Sequence, residues 1–279
     1  MLRLIILSLF SLSHLFAISV AASQQTLLYP RQNKQVEQYT SYPIELLELA
    51  MSYGEKNYSL EANKGPVVSQ EKALANLVRG SGVDVMWTMT SLDREAVALP
   101  IRIPIYKGLM GFRVSLIHSA FTKDLESIRD MQDLRKQKAG QGIDWPDAKI
   151  LEANNITVLK GSYGSLFKML AAGRFTYFPR SITEVWFEYD GAVSSGNTAL
   201  TVDPKVLIKY PTASYFFVNR NNTDLARAIE FGLESSIKDG KFDELFYRHH
   251  REMIRRSNIS DRLVIELHNP LLPEKTPLN

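Results

Sequence analysis

Short runs rich in β-branched and aromatic residues alternate along this chain with stretches whose apolar positions recur every three or four residues. That alternation is the pattern of an α/β protein. Thr26 to Tyr29 reads as a first strand, ended by Pro30. From Ile44 to Tyr53, Ile44, Leu47, Ala50 and Met51 share one helical face, and Gly54 closes it. Ser59 to Ala62 is a short strand. Gln70 to Arg79 is a helix with Ala73, Leu74, Leu77 and Val78 on one stripe, stopped by Gly80. Val83 to Thr88 then reads as a buried strand.

A second series follows the strong strand Gly111 to His118. Leu125, Ile128 and Leu134 mark a helix, Lys138 to Gly142 a strand entering a glycine turn, and Ile156 to Leu159 another strand. Ser162 caps a helix whose core face is Leu166, Phe167 and Leu170, and Gly173 stops it. Phe175 to Phe178 is a strand, and Ser214 to Asn219 returns to the first series. Two helices come next, one carrying Leu225, Ala228, Ile229 and Leu233, the other Phe242, Leu245 and Phe246; Leu263 to Leu267 is a late strand. The expected fold is therefore a two-lobed α/β architecture: residues 24–117 with 213–279 form one lobe, and 118–212 the other. With no linker or repeat between them, the chain is expected to cross from lobe to lobe more than once.

Residues 1–23 change the picture of where the protein works. Arg3 precedes a mostly apolar stretch, Leu4 to Val20, and Val20-Ala21-Ala22-Ser23 offers small residues for cleavage. A cleaved export signal is the expectation; an uncleaved anchor is the alternative. The chain has no cysteine. Disulfides, thiolate metal sites and a lipid-modified cysteine are therefore not available to it. A freely diffusing periplasmic monomer follows as the expectation. The net charge of +3 includes no basic run suited to nucleic acid, since Arg248 to Arg256 is interrupted by Glu252.

Enzyme signatures are scarce. There is no nucleophile elbow, phosphate loop or dinucleotide fingerprint, and the adjacent His249 and His250 cannot chelate together from one helix. No metal or cofactor is expected. The informative stretch is Asp84-Val85-Met86-Trp87-Thr88-Met89-Thr90-Ser91-Leu92-Asp93-Arg94-Glu95. Ligands of open α/β sheets sit beyond the carboxyl ends of strands. Thr88 or Thr90 is thus placed to hydrogen-bond a ligand, and Arg94 to fork onto a carboxylate or phosphate. The alternative is a capping Ser91, with Arg94 paired to Asp93 or Glu95.

On this stretch the chain resembles the periplasmic solute-binding proteins of polar-amino-acid importers. Tyr42 ahead of the helix, Arg79-Gly80-Ser81-Gly82-Val83-Asp84, Leu134 to Gly142, and Ala171-Ala172-Gly173-Arg174-Phe175 carry the rest of the resemblance. It implies two lobes joined by crossover strands, of the type II periplasmic-binding kind, closing by hinge motion on a small solute. It also implies a membrane partner, either an ABC permease or a sensor protein. Such proteins carry an aspartate after the Gly-Arg-x-Asp-Ala strand for the ligand's amine, where this chain has Phe175-Thr176-Tyr177-Phe178-Pro179-Arg180. An arginine there argues for an anionic solute, unless Arg180 is paired with Glu184 or Glu188. Gly142, Asp144 and Trp145 of Gly140-Gln141-Gly142-Ile143-Asp144-Trp145-Pro146 are second-lobe candidates, with Tyr42, Trp87 and Trp145 as an aromatic wall. An enzyme on the same fold, similar to periplasmic dehydratases, is the rival; it would need Glu184 or Asp144 as general acid.

Overall fold

A computed structural model describes residues 24–32 and 37–277. The expected export segment, residues 1–23, lies outside the described residues. In the first part of the chain the elements are β1 (Gln25–Tyr29), α1 (Glu37–Met51), β2 (Tyr58–Ala62), α2 (Gln70–Arg79), β3 (Val85–Met89), α3 (Leu92–Val97) and β4 (Leu99–Ile101). The middle holds β5 (Phe112–His118), α4 (Thr122–Glu126), α5 (Met131–Arg135), β6 (Lys138–Gly142), α6 (Pro146–Ala153), β7 (Thr157–Gly161) and α7 (Tyr163–Ala171). Then come β8 (Tyr177–Ser181), α8 (Val185–Ser194), β9 (Leu200–Val202) and β10 (Val206–Lys209). The last part is β11 (Ser214–Val218), α9 (Thr223–Lys238), α10 (Lys241–Ser257) and β12 (Leu263–Glu266).

One lobe is built on β3-β11-β4, with the parallel pair β1-β2 beside it. Asp84 ties the two groups together: its N–H donates to Leu28 O at 2.7 Å, and its carboxylate accepts the Leu28 N–H at 2.8 Å. Helices α1, α9 and α10 bury Leu46, Leu47, Ile229, Leu233 and Phe246 against one face of this layer. Tight packing is enforced at Gly232, where a Cβ would lie 1.9 Å from Ala50 O. On the other face α2 contributes Ala73 and Leu77 against Tyr215 and Phe217. Its ends follow the sequence rules: Ser69 Oγ accepts the Lys72 N–H, and Gly80 takes the left-handed φ of 62° that glycine tolerates.

The other lobe is a mixed sheet in the order β12-β10-β5-β8-β6-β7, with β9 also on β5. Apolar clusters cover both its faces. Two strands fall on a different side of the expected division. Residues 112–117 and the late strand, both grouped with the first lobe above, pair in this sheet through β5–β8 and β10–β12. A continuous apolar run such as β5 can extend either sheet, and nothing local says which. The helix expected around Leu125 to Leu134 is two short helices, α4 and α5, separated at Ile128 to Asp130. The strand expected at Phe175 to Phe178 runs two to three residues later, because Phe175 fills the space over Gly140.

The chain crosses between lobes from β4 to β5, from β10 to β11 and from α10 to β12. Among the described residues no helix is long and apolar enough to span a membrane, and no cluster of His, Asp and Glu is arranged to hold a metal ion.

Candidate functional site

Between the lobes lies a cleft of about 480 Å³. The first lobe contributes the start of α2 and the end of β3, with Trp87 and Thr88 in the wall; the second contributes the turns after β6 and β7 and the end of β8. Of the residues singled out from sequence, Trp87, Thr88, Gly142, Asp144, Trp145, Arg180 and Glu184 line it.

Tyr42 does not. It lies inside α1 and is fully buried, its ring 4.6 Å from that of His250, and its hydroxyl donates to Ile105 O at 2.6 Å. Thr90 is also not in the wall. Strand β3 ends at Met89, so the two-residue alternation that would put Thr90 on the same face as Thr88 has stopped. Its hydroxyl instead donates to Glu95 at 2.6 Å.

Arg94 sits just behind the wall, 7% exposed. Ser91 Oγ accepts its backbone N–H, the capping expected of that serine. The guanidinium does not pair with Asp93 or Glu95, which are bonded to Lys149 and Arg102. It donates from Nη1 to Thr88 Oγ1 (2.5 Å) and Met89 O (2.8 Å), and from Nη2 to Gln70 Oε1 (2.9 Å) and Asp144 O (3.2 Å). Every acceptor is neutral, and among the described residues no carboxylate lies on this guanidinium. Burial lowers its pKa to about 10, with Asp144, Asp147 and Glu71 opposing from further off. The group remains a cation at neutral pH.

Arg180 has the opposite surroundings. Its Nε donates to Glu188 Oε1 and Oε2 at 3.0 and 2.7 Å, and its Nη2 to Glu188 Oε1 at 2.7 Å. Glu184 stands 3.1 Å away. Its plane covers the Trp145 ring at 4.5 Å. The Trp145 ring in turn stacks on Phe178 and occupies the space where a Cβ on Gly142 would lie, 2.3 Å from the ring. The charge of Arg180 is thus matched within its own lobe, and the case for an anionic solute that rested on it loses that support.

Sequence reading missed Arg113. It stands in the apolar run of β5, fully buried, with Nη2 2.7 Å from Asp147 and Nη1 3.6 Å from Glu184. The only local signal was an arginine inside a buried strand, a position costly without a partner; the partner is 34 residues on and is visible only in the fold. With Arg31, the cleft wall carries three arginines against Asp144, Asp147 and Glu184.

No protein-family model and no curated protein matches the sequence. Solved structures do. An arginine-specific periplasmic binding protein of Salmonella typhimurium superposes with a TM-score of 0.60 at 14% identity, over 81% of this chain and 99% of that one. The fold is that of the periplasmic binding proteins. A Streptococcus mutans structure described with glutathione import via GshT and the cystine ABC importer TcyBC gives 0.60 at 12%, over 82% and 96%. A histidine kinase sensor domain similar to periplasmic binding proteins gives 0.57 at 14%, over 81% and 96%. Arg94 of the first lobe meets the Asp144 carbonyl of the second at this cleft, 3.2 Å apart.

Proposed function

We propose that this protein is an exported solute-binding protein that closes on a small polar solute carrying an anionic group, with Arg94 as the recognising cation. The single observation behind this reading is the buried Arg94 guanidinium at the cleft, held by neutral oxygens with no carboxylate in direct contact among the described residues. A buried cation without a counter-charge is costly, and a ligand carboxylate would supply one. Thr88 and Gln70 orient the fork, Trp87 offers an apolar wall, and the paired charges of the second lobe leave room for a polar remainder. Delivery is to an ABC permease in the membrane, or to a membrane sensor in the second reading, which the likeness to a kinase sensor domain favours. Binding without chemistry fits the site better than catalysis. Glu184 is engaged by Arg113, Arg180 and the Ser181 N–H, and Asp144 by the Glu71 N–H, so neither presents an unpaired acid to the cleft.

The test is a thermal-shift screen of residues 24–279 against amino acids, organic acids and their phosphorylated relatives. A solute at a hundred times its dissociation constant adds ~2.7 kcal/mol, about 5–10 °C for a chain of this size. Carboxylate-bearing solutes are expected to give this shift, and Arg94→Ala to abolish it. A shift that survives Arg94→Ala, or hits confined to cations, would refute the assignment.

A further inference from the structure

We infer that Asp144 is a built-in competitor for the solute, a carboxylate of the second lobe seated on the anion-seeking groups of the first. The inference rests on the binding reading above. It begins in the turn after β6. Ile143 N–H donates to Gly161 O and Trp145 N–H to Gly142 O, while Pro146 opens α6, so the turn has a fixed shape. Its tip carries Asp144 across the cleft to the start of α2.

The first-turn N–H groups of a helix have no acceptor within the helix. In α2 Ser69 Oγ takes the Lys72 N–H, and Asp144 Oδ2 takes the Glu71 N–H at 3.0 Å. The carbonyl of the same aspartate accepts from Arg94 Nη2 at 3.2 Å. One residue of the second lobe therefore meets two donors that an anionic solute would seek, the helix N-terminus and the buried guanidinium. The exposed Lys149–Asp93 pair, 3.1 Å, also bridges the lobes but adds little in water. The protein's own groups thus join the two lobes at this point. A solute that takes both donors must displace the Asp144 carboxylate from the Glu71 N–H and its carbonyl from Arg94, and its apparent affinity is lowered by the fraction of molecules latched this way.

The absence of cysteine from the chain makes the test clean. Spin labels on Glu55→Cys and Lys168→Cys, exposed positions on the two lobes, report the interlobe distance in the protein without any solute. The labelled parent is expected to show one narrow distance. Asp144→Ala is expected to lengthen and broaden it, with Asp144→Asn, which keeps an acceptor but no charge, in between. In the unlabelled protein, amide exchange at Glu71 should be roughly tenfold faster in Asp144→Ala than in wild type, the loss of one charge-assisted hydrogen bond. A parent that is already broad, or an Asp144→Ala variant matching the parent in both distance and exchange, overturns the latch. Because no solute is added, these outcomes stand apart from the result of the thermal-shift screen.

Discussion

The guanidinium of Arg180 lies 2.7 Å from the Glu188 carboxylate, and both side chains are almost wholly withdrawn from water. A buried pair of this kind contributes little net stability but is costly to break from one side, because the remaining charge stays buried alone.

Arg180→Met should therefore destabilise the protein by about 3–5 kcal/mol, and Arg180→Asp by more, since it sets like charges together. The double variant Arg180→Met, Glu188→Met should recover most of that loss. Urea unfolding monitored by circular dichroism measures it. A single variant as stable as wild type would show that the pair is not formed. On this account Arg180 governs stability, and its replacement is not a clean probe of solute charge.

Gly142→Ala tests the other side of the same assembly. The added methyl would meet the Trp145 ring at 2.3 Å, and the ring is packed against Phe178 and Arg180, which restricts its retreat. Overpacking of this order costs about 1–3 kcal/mol. A shift in tryptophan emission should accompany the lower melting point, because Trp145 is one of three tryptophans in the chain. Unchanged emission would mean the ring is not packed on Gly142.

How much of this was legible in the sequence follows the range of each interaction. Helix α2 is found at its true bounds because Ser69 and Gly80 punctuate it locally, and Lys138 to Gly142 is found because a glycine turn ends it. The helix α8 carries no such signal: its N-cap residue Glu184 makes no side-chain cap, and its apolar residues Trp186, Phe187 and Tyr189 wrap more than one face. The site divides the same way. Thr88, Arg94 and Asp144 sit at strand and helix ends that local pattern identifies. The partners of Arg113, Arg180 and Tyr42 come from 34, 8 and 63 residues away, so only the assembled fold shows which of them are occupied. The spacing of Arg180 and Glu188 allows their pairing, yet spacing alone cannot choose between a partner in the chain and one in a ligand.

Trp186 and Ser257 give a prediction about how the lobes are held. The indole Nε1 of Trp186 on α8 donates to Ser257 Oγ at 2.8 Å, while Arg256 covers the ring at 4.3 Å and forks onto Asp190 at 2.7 and 2.9 Å. This docks the end of α10, whose start is packed in the first lobe, onto the second. Trp186→Phe keeps an apolar ring but loses the donor and leaves Ser257 without this partner. A loss of about 1 kcal/mol is expected, with little effect on a solute bound at the cleft. A large change in solute affinity would instead mean that this joint sets the degree of closure.

His250 supplies a pH signature that is independent of any ligand. It lies 1% exposed among Tyr42, Tyr106 and Phe246, with neither ring nitrogen hydrogen-bonded among the described residues. Burial first, and His249 second, lower its pKa to about 3 in the folded protein, against about 6.5 when the chain is unfolded. Between these values the unfolded chain binds a proton that the folded protein does not. Stability from this group is therefore fully present above pH 6.5 and is lost as the pH falls toward 3, at up to about 1.4 kcal/mol per pH unit. His250→Phe fits an aromatic cage and cannot titrate, so the pH dependence of its unfolding free energy between pH 4 and 6.5 should be shallower than that of wild type. Urea titrations at several pH values give the two slopes directly, and equal slopes would place the proton uptake on other groups.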